Sequence, residues 1–131
     1  MRTLPAHRRF ARIAFAAGLL AFGGLSTRAY AIDPPYQAEM ERLIEVLGSL
    51  YFLQPLCEAG QDDWRAEASD LIALDQPVDE RRQRLVGAFN AGYEAYARTY
   101  RTCTPSAHEA MERLLIEAEH SARELNADFT E

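Results

Sequence analysis

Apolar residues recur at helical spacing along four stretches of this chain, and proline or glycine separates each stretch from the next. Met40, Leu43, Ile44, Leu47, Leu50 and Tyr51 share one face of a first helix that starts near Pro35 or Tyr36. Leu50-Tyr51-Phe52-Leu53 is apolar all round, which predicts cover from several sides. Pro55 stops this helix, and Cys57 follows in the loop. After Gly60, the acidic Asp62 and Asp63 suit the positive end of a second helix, about 62–74, with Trp64, Ala68, Leu71 and Ile72 on its face. Asp75-Gln76-Pro77 is the next break. A third helix runs from there to about Thr102. Thr104-Pro105 then reads as the cap and first position of a fourth, buried through Met111, Leu114, Leu115, Ala118, Ala122 and Leu125. No strand-like alternation, repeat or low-complexity segment occurs. The expected fold is all-α, an up-down-up-down four-helix bundle.

The first 31 residues read differently. Arg2, His7, Arg8, Arg9 and Arg12 precede an apolar run, Ile13 to Leu25, that is too short to span a bilayer comfortably. Ala29-Tyr30-Ala31 is an A-x-A cleavage pattern. Residues 1–31 are therefore expected to be a secretory signal peptide, cut before Ile32. The residues around Arg8-Arg9 do not complete a twin-arginine motif, and no cysteine stands at the cleavage site to carry a lipid. This predicts a periplasmic protein with no stable membrane insertion after cleavage. Residues 32–131 form the single helical domain, with a disordered lead-in over about 32–35 and a tail that frays after about Asn126. Phe129 is the one tail residue expected to tuck in.

Beyond residue 31 the chain keeps all 20 acidic residues and 9 of its 14 arginines, and it has no lysine; its formal charge is −11. Nucleic acid and anionic lipid are excluded as partners for so acidic a domain. Cys57 and Cys103 are the only cysteines. In an exported chain an even pair reads as a disulfide, and the ends of the first and third helices share a pole of the bundle. The long loop so closed is worth roughly 4 kcal/mol on the chain-entropy model.

The stretch Leu85–Pro105 is expected to organise the domain. Leu85, Phe89, Tyr93, Tyr96 and Tyr100 follow one helical face, and Gly87, Ala91 and Ala95 form a smooth second stripe for close approach of another helix. Gly87 and Gly92 each cost a helix roughly 1 kcal/mol relative to alanine, so close packing should compensate. Asn90 flanks the aromatic stripe. It is either a buried amide that needs partners or a ligand-facing one.

No catalytic or metal constellation is expected. His108-Glu109-x-x-Glu112 lacks the second histidine of a zinc helix, and Glu117-x-x-His120 is a single copy of a motif that di-iron bundles need twice. No Ser-His-Asp or Cys-His pair stands out, and a domain this small has little room for a deep cleft. No cofactor is implied.

Phe89-Asn90-x-Gly92-Tyr93 and Tyr100-x-x-Cys103-Thr104-Pro105, with Leu47-Gly48-x-Leu50-Tyr51, Leu56-Cys57 and Trp64-Arg65 upstream, resemble a family of small exported alphaproteobacterial proteins catalogued as a domain of unknown function. The resemblance implies a periplasmic helical domain carrying both cysteines, and it implies no activity. The expectation is thus a non-catalytic module that binds a protein or a cell-envelope component, with Asn90, Tyr93, Tyr96 and Tyr100 as contact surface. The alternative is a binder of a small ligand or envelope glycan that uses those tyrosines as a stacking wall.

Overall fold

The computed structural model describes residues 32–130, with side chains through residue 128. The expected signal peptide and the Phe129 side chain lie outside this description. Four helices follow in order: α1 (Gln37–Leu56), α2 (Trp64–Asp75), α3 (Asp79–Thr99) and α4 (Pro105–Thr130). No strand occurs among the described residues. The helices form an up-down-up-down bundle with α1 and α3 parallel, and the Cys57–Cys103 disulfide joins the pole where both end, with Cα atoms 4.9 Å apart.

The centre of the bundle is α1, not α3. It packs against each of the other three helices, and α2 also touches the edge of α3. The backbone of α4 does not come close to that of α2 or α3 among the described residues, though the Tyr100 hydroxyl at the end of α3 donates to the Ser106 carbonyl of α4. The cause is compositional. Met40, Leu43, Ile44, Val46, Leu47, Leu50 and Leu53 are all buried and spread round much of the circumference of α1. A helix that is apolar on most sides must be covered on most sides. By contrast α3 buries little beyond Arg81, Leu85, Phe89 and Gly92.

The glycine that permits close approach is Gly92, and its counterpart is Gly48 on α1. A Cβ on Gly48 would collide with the Phe89 carbonyl of α3, and one on Gly92 with the Glu45 carbonyl of α1 and, at 2.8 Å, with Ser49 Oγ. Each helix thus offers a bare backbone to the other's carbonyl, and α1 and α3 meet without side chains between them. The stripe of Gly87, Ala91 and Ala95 does not serve this purpose. All three are exposed, and a Cβ on Gly87 would meet nothing within 4 Å. The stripe lies on the wrong side of α3, because Leu85, Phe89 and Gly92 already fill the side toward α1.

A polar network fixes the opposite pole. Arg81 donates through Nε to Gln37 Oε1 (2.6 Å) and pairs through its terminal nitrogen with Asp75 Oδ2 (2.7 Å). The Asp75 side chain is only 1 % exposed. Tyr36 also donates to it, through its hydroxyl to Oδ1 at 2.7 Å. This hydrogen bond, together with burial and the nearby Asp75 charge, raises the Tyr36 pKa above 10.0. The start of α1, the end of α2 and the start of α3 therefore share one buried carboxylate. The lead-in is tied down as well, since Asp33 pairs with Arg84 at 2.5 Å. At the other end α4 continues as helix to Thr130, past the expected fraying point.

Gly48→Ala and Gly92→Ala should each destabilise the protein by about 1–3 kcal/mol through overpacking. Gly87→Ala should stabilise it by about 0.4–1 kcal/mol. Urea unfolding reads all three, and equal effects at Gly87 and Gly92 would contradict the helix contact described.

Arg81→Ala should cost about 3 kcal/mol or more, because it strands a buried carboxylate. Arg84→Ala, whose pairs are half-exposed and screened by solvent, should cost far less than Arg81→Ala. Tyr36→Phe should cost about 1–2 kcal/mol near neutrality. Because the folded pKa of Tyr36 is raised, its contribution is complete below pH 10 and lost as the pH climbs above that value. The stability gap between wild type and Tyr36→Phe should close in that alkaline range, and a constant gap would refute the assignment.

Candidate functional site

The seam between α2 and α4 is open. It forms a groove of about 830 Å³ floored by α1 residues Met40, Leu43 and Leu47. Trp64, Leu71 and Leu74 of α2 make one wall, and Leu115, Ala118, Ala122 and Leu125 of α4 the other. Periodicity put Leu115 and Ala122 on a buried face. The structure leaves Leu115 40 % exposed, and Ala122 is exposed too. Leu74 is 80 % exposed. The apolar face of α4 is wider than its contact with α1, and the surplus looks into the groove. Ile116, 67 % exposed, extends it onto the outer surface.

Both walls are held by contacts outside the groove. At the start of α2 the Trp64 indole N–H donates to Gln54 Oε1, and Gln54 Nε2 donates to the Asp62 carbonyl at 3.3 Å. Asp63 caps the helix by accepting from the Ala66 amide at 3.0 Å. At its end Asp75 is held by Arg81 and Tyr36. On α4 the Thr104 hydroxyl accepts from the Ala107 amide at 3.1 Å, and Glu117 pairs with Arg42 of α1 at 2.5 Å.

The groove's charges have one sign. Asp62, Asp63, Glu67, Asp75 and Glu119 line it, and no arginine or histidine does. Asp75 is neutralised by Arg81, and Glu119 pairs with Arg123 at 2.6 Å. The acidic edge is therefore concentrated at Asp62, Asp63 and Glu67, where α2 begins.

The tyrosines of α3 are arranged otherwise. Tyr93, 39 % exposed, meets Phe52 edge-on at 5.4 Å and Tyr51 at 6.0 Å. Tyr51 in turn lies 5.7 Å from Phe89 and beneath the Arg65 guanidinium. Tyr96 and Tyr100 are half-buried against the core and stack on each other at 6.1 Å. Asn90 is exposed, so it carries no buried amide in need of partners; it lines a small cleft of about 220 Å³ with Arg65, Ser69 and Val86. The four residues named from the sequence do not converge on one cavity.

His108 lies beside the disulfide, its ring nitrogen within 4.8 Å of the Cys57 and Cys103 sulfurs. Those sulfurs are bonded to each other, so the trio is no ligand set while the disulfide is closed. His120 is 3.9 Å from Glu124, while Glu117 binds Arg42 instead.

A family model described as Protein of unknown function (DUF2385) matches residues 35–129. The chain belongs to this family. The DUF2385 match spans all of α1, α2 and α3, both cysteines and every groove residue, and it begins after the expected signal peptide. No curated protein and no solved structure matches the chain. No helix among the described residues is long and apolar enough to cross a membrane.

Sequence reasoning missed the groove although its parts were visible. Spacing places Ala68, Ile72, Met111, Leu114 and Leu125 correctly in the core, but it does not say that Leu115 and Ala122 lack a neighbour to cover them. The available signal was quantity. Leu115 and Ile116 widen the α4 stripe beyond the face set by Met111, Leu114, Ala118 and Leu125, and Leu74 follows Leu71 and Ile72 at the end of α2, where one narrow face cannot bury all three.

Proposed function

We propose that this DUF2385 protein is an exported, periplasmic and non-catalytic interaction module, and that it binds its partner through the α2–α4 groove. The observation that carries the reading is the groove itself, where the exposed Leu74 of α2 and Leu115 of α4 line one trough over the buried α1 residues Met40, Leu43 and Leu47. A concave site lined mostly by apolar side chains with a few polar groups at its edge is the usual form of a binding pocket. The expected signal peptide and the disulfide support an oxidising compartment. The tyrosine face of α3 is the weaker surface, because Tyr93, Tyr96 and Tyr100 each contact another aromatic ring and line no common groove with Asn90.

Leu74→Ser tests this. The side chain is 80 % exposed, so its loss should change stability by less than about 0.5 kcal/mol. A photoreactive residue at position 74 or 115 in living cells should give one defined crosslinked species. The same residue at Arg98, on α3, should give none. Crosslinking from position 98 alone would move the binding face to α3 and overturn the groove reading.

A further inference from the structure

Resting on that reading, we propose that the groove's occupant is a basic amphipathic helix of another protein, laid along α2 with its cationic end beside Asp62 and Glu67. Three features of the groove select it.

The first is shape. The wall formed by α2 is 12 residues long, about 18 Å at helical rise, which matches three turns of a docked helix. Leu71 and Leu74 on one side and Leu115 and Ala122 on the other present apolar surface along this length, over a floor closed by the buried Leu43 and Leu47. A helix that sets residues at i, i+3, i+4 and i+7 into such a trough is a recurrent mode of recognition.

The second is charge. Every ionisable group lining the groove is acidic, and Asp62 and Glu67 have no cationic partner within the described structure. A docking surface of one sign favours a partner of the other and penalises its own. This argues against a second copy of the chain, since residues 32–131 carry 20 acidic groups against 9 arginines.

The third is preorganisation. Hydrogen bonds to Gln54 at one end of α2 and to Arg81 at the other fix the wall in place before any partner arrives. The ordering cost on the protein's side is correspondingly small.

Trp64 is the only tryptophan in the chain and lines the groove, so its emission reports occupancy directly. The purified, oxidised protein would be titrated with three helical peptides of about 14 residues. All three carry the same leucine face, and their polar positions are arginine and serine, serine alone, or glutamate and serine. The arginine peptide should shift Trp64 emission and saturate, with affinity falling as salt is raised. The glutamate peptide should bind at least about tenfold more weakly. The Asp62→Asn/Glu67→Gln variant should lose about fivefold in affinity for the arginine peptide and keep its affinity for the serine peptide. Both substitutions are exposed and spare the Asp63 cap, so folding is retained.

Equal, salt-insensitive binding of all three peptides would overturn the basic helix and leave the groove as a binding site. Saturable binding by the glutamate peptide alone would do the same. No binding by any peptide, with the protein sedimenting as a dimer that the Leu74→Ser variant disrupts, would assign the groove to a second copy. No binding and no dimer would remove the groove reading as well.

Discussion

The architecture depends on how closely α3 can approach α1. At Gly48 and Gly92 two helix backbones touch through each other's carbonyls, and no side chain keeps them apart. That contact fixes the register in which Phe89 and Tyr93 meet Tyr51 and Phe52. It also sets the pole at which Arg81 reaches Gln37 and Asp75. Once α3 lies flat on α1 it occupies one side of the central helix completely. The remaining sides are left to α2 and α4, whose backbones stay apart. The open seam follows from the geometry of the closed one.

Polar bonds do at the two poles what apolar burial does in the middle. One pole is tied by the disulfide and by Gln54, which joins the end of α1 to the start of α2. The other is tied by Asp75, whose buried carboxylate takes an ion pair from α3 and a hydroxyl from the entrance to α1. None of the buried side-chain polar atoms described lacks a partner. A buried carboxylate satisfied by two groups from different segments is directional in a way leucine packing is not. It is what keeps a helix as short as α2, with only Ala68 and Ile72 fully buried, in a defined position.

The helices themselves were legible in the sequence because their breaks are chemical: Pro77, Gly60 and the Thr104-Pro105 cap. The shared pole of the two cysteines was legible for the same reason, since it follows from helix order alone. What was not legible depends on facing. Gly87 and Gly92 look alike in sequence, yet they sit on opposite sides of α3, so one is exposed and the other is the contact. Asn90 follows Phe89 directly and is rotated by about 100° from it, which takes it to solvent. Arg81 looked like one more charge in an acidic, arginine-rich surface. Its partners lie at positions 37 and 75, outside any local pattern. The centrality of α1 was foreshadowed by the run Leu50–Leu53, apolar on every side, but the concentration of tyrosines drew the reading to α3.

A gap between helices can be a packing defect or a site, and the placement of the polar bonds bears on which reading the proposed groove deserves. For the α2–α4 seam to close, α2 would have to swing toward α4. Such a swing would pull Trp64 from Gln54 and Asp75 from Arg81, and the second loss would leave a carboxylate unpaired in a buried setting. The wall at α4 is held independently, by the disulfide just before its start and by Arg42 on Glu117. Neither wall leans on the other, so the groove does not collapse when empty. A chain that only needed a stable bundle would gain by closing this seam, since burying Leu74 and Leu115 would add favourable apolar area. The anchors at Gln54 and Arg81 oppose that closure, and this is the physical basis on which the proposed groove would be preformed rather than induced.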